Sequence, residues 1–496
     1  MRSPRAAGIL LHPTSLAGRF GIGDLGPAAF EFCESLAAAG QTYWQMLPVT
    51  PTGYGDSPYS SFSAFAGSTH LISPERLFDD GLIDRGFVDA RPDFPNDRVD
   101  YGWVVDWKGQ MLRRAYGEFQ NAGGDLRNEF DAFCGEQASW LEDYALYRSL
   151  KASRGDSAWF QWPDELRARH DDALAQATSD LADRIREEKF YQFLFYRQWT
   201  ALHSHANSRG LKLIGDIPIF VAVDSCDVWR HQDEFKLNGD GSPRVVAGVP
   251  PDHFSSTGQR WGNPICDWDV MAANGFEWWI ARFRKMLEMF DIIRVDHFRG
   301  FVAMWEVPGP DETAENGQWA HVPGSEIFRA LTDALGELPV IAEDLGGITP
   351  EVDALREEFG FPGMRILEYG FGGDSANRDL PHNYVANTVA YTGTHDNDTV
   401  VGWFKSLDRR TRRHALEYLG TRSVRGINWH MIRALYESIA DTVLVPMQDV
   451  LGLGSDARMN TPATTQGNWQ WRMSNHAFNE DLTERLRALS ELYGRR

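Results

Sequence analysis

The chain has 496 residues, 43% of them hydrophobic, and a formal net charge of −21. That length and apolar share can bury a large core, and the acidic balance excludes nucleic acid and anionic membrane as partners, since both select basic patches. Four widely spaced cysteines with no CxxC pair indicate neither a disulfide framework nor a zinc site, and the lack of a signal-peptide-like run or of roughly 18 consecutive apolar residues points to a soluble, cytoplasmic protein.

Residues 8–12 predict a first strand. Pro27 opens a helix with Phe30, Cys33, Leu36 and Ala37 on one face, and Gly40 closes it. Residues 43–47 predict a second strand, and strand, helix, strand in succession is the βαβ unit of a parallel sheet. After Pro48 comes a turn-rich loop with Tyr54 and Tyr59, then a polar helical stretch over 103–153. A helix over 187–208, carrying Phe190, Phe193, Tyr196 and Leu202, leads through Gly210 into a strand at 211–216. Residues 235–246 hold Asn238-Gly239 between extended runs, a hairpin signal. The same Asn-Gly-Asp-Gly run lacks the spaced acids and terminal Glu of a calcium loop. Residues 248–263 form a long glycine- and proline-punctuated stretch with one tryptophan, Trp261, and predict a lid or binding loop. An amphipathic helix over 277–290 then precedes the stretch 291–296, where Ile292, Ile293 and Val295 predict a short buried strand. Apolar runs at 338–344, 363–369, 388–391 and 441–446 bring the strand candidates to eight.

The pattern predicts an α/β fold: one (β/α)8 TIM barrel over 1–496 with inserted subdomains. One insertion, about 50–205 and mostly helical, follows strand two; another, about 220–275 with a hairpin and lid-like loop, follows strand three. A doubly wound open sheet satisfies the same periodicity.

Arg294 and Asp296 are two apart on a strand and so share a face. A guanidinium beside a carboxylate keeps it ionised, as a nucleophile or electrostatic stabiliser needs; a structural ion pair leaves the same signature. Four of the strands run into acids: Asp216, Asp296, Glu343 and Asp396. In a β/α barrel such ends share one face. Carboxylates crowded there have their pKa values pushed apart, the division of labour that glycoside cleavage uses. Singly, Asp216 could cap a turn, and Glu343 beside Asp344 could be a solvated corner. His395, Asp396 and Asp398 could gather a divalent metal, although no second histidine stands at ligand spacing.

The segments 8–16, 53–65, 215–221, 248–264, 294–301, 342–351, 391–399 and 460–472 closely resemble the amylomaltases, the 4-α-glucanotransferases of glycoside hydrolase family 77. The resemblance implies Asp296 as nucleophile, Glu343 as general acid/base and Asp396 as a stabiliser that binds sugar hydroxyls. It implies Arg294, His395, Asp216 and Tyr59 around the cleaved glucose, Trp261 against the acceptor sugar, and Asn468 on the donor chain. Tyr54 and Tyr101 match positions of a second glucan-binding groove in some members. It further implies no metal or organic cofactor, malto-oligosaccharides and α-1,4-glucans as donor and acceptor, and a monomer or weak homo-oligomer. An α-1,4-glucan hydrolase and a non-catalytic glucan-binding protein are the competing readings. The chain departs from the family pattern at Val302 and Met304, at His253 and Arg260, and at Ser68-Thr69-His70. The changes in the 248–264 stretch bear on acceptor preference and product size.

Overall fold

A computed structural model describes residues 5–251 and 255–496, apart from the side chain of Tyr54. In chain order its strands are β1 (Ala6–Leu10), β2 (Tyr43–Gln45), β3 (Lys212–Ile217), β4 (Val245–Val249), β5 (Gln259–Pro264), β6 (Ile292–Val295), β7 (Ala303–Pro308), β8 (Gln318–His321), β9 (Val340–Ala342), β10 (Gly363–Ile366), β11 (Thr388–Tyr391) and β12 (Thr442–Pro446). Eight of them close a barrel in the order β1-β12-β11-β10-β9-β6-β3-β2. Every neighbouring pair in that ring is parallel. These are the eight segments that the apolar runs single out, and helices lie between them, so the fold is a (β/α)8 barrel.

Parallel strands covered on both faces read as near-continuous apolar runs, which is why short stretches such as Val443-Leu444-Val445 suffice. The two-residue period sorts their side chains. Ile214, Ile341, Met364, Ile366, Val389, Tyr391 and Leu444 form one cluster inside the barrel, with Ile292 packed on it. Leu213, Ile293, Val340 and Val443 belong to the larger cluster against the helices. Counting on by two from Ile214, Ile292 and Ile341 places Asp216, Arg294, Asp296 and Glu343 on the inward face.

Several expectations need correction. The helix Pro27–Ala38 buries Ala29, Phe32, Cys33 and Leu36, leaving Phe30 and Ala37 half-buried. Its core face is rotated because Phe32 packs edge-on to Trp44 of β2 at 4.9 Å. Between β2 and β3 stand the helices Tyr101–Asn121, Asp125–Glu136, Ala138–Ser153 and Ala182–Ser208, among others. Their irregularly spaced aromatics meet each other, Phe119 stacking on Phe190 at 4.3 Å. Trp199 of the last helix packs on Phe290, just before β6, at 5.0 Å.

The turn at Asn238-Gly239 forms, with the Asn238 amide donating to the Ser242 carbonyl at 2.8 Å. The expected hairpin closes, with an antiparallel bridge between Leu237 and Pro243 and the Arg244 amide donating to the Lys236 carbonyl at 2.8 Å. β4 joins an antiparallel sheet in the order β5-β4-β7-β8. Of residues 248–263, expected as a loop, the two ends belong to β4 and the edge strand β5, with a register shift between Val246 and Gly248. β5 lacks apolar alternation because it is an exposed edge held by backbone pairing. His253, one of the departures noted above, lies outside the described residues. Among the described residues no helix is long and apolar enough to cross a membrane.

Candidate active site

A cleft of about 1400 Å³ opens where β3, β6, β10 and β11 end, lined by Pro218, Asp296, Glu368 and Asp396 among others. Asp216 lies within β3; Asp296 and Glu343 follow directly on β6 and β9; Asp396 sits further along, in the loop after β11.

Asp216 and Arg294 are register partners on adjacent strands. Arg294 Nη1 contacts Asp216 Oδ2 at 2.6 Å and its Nη2 contacts Asp296 Oδ1 at 3.0 Å. The Tyr59 hydroxyl donates to the same Asp216 oxygen at 2.8 Å. Burial works against the guanidinium's charge, but the Asp216 and Asp296 carboxylates hold its pKa well above the ordinary value. Burial pushes Asp216 up, opposed by Arg294. The bidentate geometry of arginine lets one cation serve two carboxylates.

Glu343 is gripped by backbone. Its Oε2 accepts from the His297 amide at 2.6 Å and its Oε1 from the Leu345 amide at 3.2 Å. The first bond depends on His297 adopting left-handed backbone, with φ 50°. Burial, reinforced by the charge of Asp296 and opposed by Arg294, pushes the Glu343 carboxyl up to about 8. Its neighbour Asp344 differs entirely. It is buried and paired with Arg378 at 2.8 Å, Arg365 at 3.2 Å and Arg356 at 3.6 Å. The acidic corner thus divides into a site carboxyl and a structural hub.

Asp396 Oδ2 lies 3.4 Å from His395 Nε2, and its Oδ1 accepts from Asn460 Nδ2 at 2.6 Å. The His395 ring stacks on Tyr59 at 5.2 Å, 17° from parallel. Asp398 accepts instead from Ser455 Oγ and the Thr399 amide. Among the described residues no group of three or more His, Cys, Asp and Glu side chains is placed to hold a metal ion.

Trp261 lies on strand β5, not in a loop as expected, and lines the cleft with its ring edge-on to His297 at 5.0 Å. Asn468 braces its own loop: its Oδ1 accepts from the Thr461 amide at 2.9 Å and its Nδ2 donates to the Thr464 carbonyl at 3.0 Å. Tyr101 is buried, and its hydroxyl donates to the Trp469 carbonyl at 3.0 Å. It presents no open ring face to a glucan and instead supports Trp469, which lines the cleft with φ 63°. Tyr54 begins the turn Tyr54–Asp56, and its side chain lies outside the described residues. His297, Asn460, Arg458, Phe220 and Trp469 escaped the residue-level reading. None ends a strand; the family-like segments 215–221, 294–301 and 460–472 hold Phe220, His297, Asn460 and Trp469, and Arg458 lies outside all of them.

A family described as 4-alpha-glucanotransferase, Glyco_hydro_77, matches residues 11–478. A 4-alpha-glucanotransferase of Synechocystis sp. is 48% identical over 500 residues, covering 100% of this chain and 99% of its own. One from Thermus thermophilus is 48% identical over 500 residues, covering 99% of each chain. The structure of amylomaltase from Streptococcus agalactiae in complex with acarbose superposes with a TM-score of 0.96 at 39% identity, over 99% of both chains. Strand order, site and full-length similarity agree: the chain belongs to glycoside hydrolase family 77, the 4-alpha-glucanotransferases.

Proposed function

We propose that this chain transfers α-1,4-glucan segments between malto-oligosaccharides, with retention of configuration, through a covalent glycosyl-enzyme on Asp296. The observation that carries the assignment of roles is the contrast between two neighbouring carboxyls. Asp296 is held by a guanidinium, and Glu343 is pushed up to about 8 and so protonated at neutral pH. Glu343 Oε2 is fixed by the shorter amide bond, which leaves Oε1 to carry the proton.

Asp296 attacks the anomeric carbon while Glu343 protonates the departing glycosidic oxygen, and the reducing-end piece leaves. Glu343, now ionised, takes the proton of a second glucan's 4-hydroxyl, which displaces Asp296 and receives the chain. Asp396, steadied by Asn460, binds sugar hydroxyls and stabilises the charge that develops on the ring. Arg294 holds and orients Asp296, with Asp216 and Tyr59 completing the bracket. Trp261 offers its ring to the acceptor sugar, and the cleft-lining residues Ser255, Gly258 and Gln259 shelter the intermediate from water, which favours transfer over hydrolysis. The acceptors and donors are α-1,4-linked glucans.

Acid-quenching the enzyme during turnover, then digesting it and weighing the peptides, tests the covalent step. A glycosyl adduct on the peptide that contains Asp296 supports it. An adduct elsewhere, or inversion at the anomeric carbon, contradicts it.

A further inference from the structure

The loop 392–400, which carries His395 and Asp396, leaves β11 at Thr392 and enters the helix Val400–Ser406. Asp449, on the short helix Met447–Leu451 after β12, grips both of its ends. The Thr392 hydroxyl donates to Asp449 Oδ2 at 2.6 Å, and the Val400 amide donates to Oδ1 at 2.7 Å. Asp449 is 1% exposed and both partners are buried, so neither bond exchanges with water. Asn428 Nδ2 steadies the gripping helix by donating to the Asp449 carbonyl at 2.7 Å. Further along the same segment, Arg458 donates to the Asp396 carbonyl at 2.6 Å and the Asn460 amide to the His395 carbonyl at 3.1 Å. One stretch of chain thus holds the loop at its two ends and at its middle.

We infer that Asp449 is a positioning residue for glucan transfer: by joining the two ends of the loop 392–400 it sets where Asp396 stands over the cleft, without meeting the sugar. This rests on the role of Asp396 proposed above. The chemistry of the grip distinguishes it from a simple need for charge. An asparagine carbonyl still accepts from Val400, and its amide group can donate to the Thr392 oxygen, because a hydroxyl both donates and accepts. An alanine does neither and leaves the Val400 amide unpaired in the interior.

The test compares kcat and KM on maltotriose for the parent, Asp449→Ala, Asp449→Asn and Thr392→Val, with folding followed by circular dichroism. Misplacing Asp396 should lower kcat of Asp449→Ala about 10²-fold with KM within about twofold, since the loop acts on the transition state more than on ground-state binding. Asp449→Asn should recover to within about fivefold of the parent, the conservative rescue that bracing predicts. Thr392→Val, milder should the alanine variant fail to fold, should lose about tenfold in kcat. A folded Asp449→Ala or Thr392→Val with parental kcat overturns the inference, as does an asparagine variant as impaired as the alanine. A parent that makes no transfer products defeats the proposed function instead, so the two failures are distinguishable.

Discussion

Arg294 and Asp216 face each other across β6 and β3, joined at 2.6 Å, while the second nitrogen of the same guanidinium reaches Asp296 at 3.0 Å. With side chains only 4% and 0% exposed, the Arg294–Asp216 pair cannot be broken cheaply. Arg294→Ala leaves an uncompensated buried carboxylate, which should cost about 3–5 kcal/mol in urea unfolding. Arg294→Lys keeps the charge but cannot serve both carboxylates with a fixed fork. It should fold closer to the parent yet lose most of kcat. Equal kcat in the lysine variant would show that the bidentate bracket does not matter.

Glu343 sets the basic limb of activity. Its carboxyl must be protonated to release the leaving sugar, so kcat/KM should fall as pH rises through about 8. Glu343→Gln should abolish that limb and cost about 10²–10⁴-fold in transfer. Stability moves with the proton. A folded-state value raised from 4.5 to about 8 means that the folded chain binds more protons than the unfolded chain between those values, so this group's contribution falls as pH rises across that window. The glutamine variant should therefore melt higher than the parent above that window and gain little below it.

Asp344 should behave in the opposite way to its neighbour. It neutralises Arg356, Arg365 and Arg378 and accepts from the Met364 amide at 2.6 Å. Asp344→Ala should destabilise by about 3–5 kcal/mol, whereas Glu343→Ala should leave the thermal midpoint near or above the parent's. Thermal melts of the two variants side by side check the contrast.

Trp261 is 38% exposed and lies against the cleft-lining His297. Loss of its ring in Trp261→Ala should weaken acceptor use by about 0.5–1.5 kcal/mol, up to roughly tenfold in acceptor KM. It should also raise the share of hydrolysis. Competition between glucose as acceptor and water, measured on one donor, reads both.

The barrel was legible because each of its strands is a short apolar run, and the inward register follows from a period of two. Asp216, Asp296 and Glu343 could be placed together for the same reason: each stands at or beside a strand end whose inward residues are countable. Asp396 could be named but not positioned, since it lies in a loop whose course depends on Asp449 and Asn460, distant in sequence. The sheet of β4, β5, β7 and β8 escaped notice because edge strands held by backbone pairing, such as Gln259–Pro264, need no apolar alternation. The hydrogen bonds of Tyr101 to Trp469 and of Asn468 within its own loop were not legible, because each partner is set by how the 460–472 segment folds.

The most direct measurement is to incubate the purified protein with maltotriose and separate the products by length. The account predicts glucose together with a ladder of oligosaccharides longer than the substrate, and loss of that ladder in Asp296→Asn. Glucose and maltose with nothing longer than maltotriose, or a ladder that survives in Asp296→Asn, would contradict it.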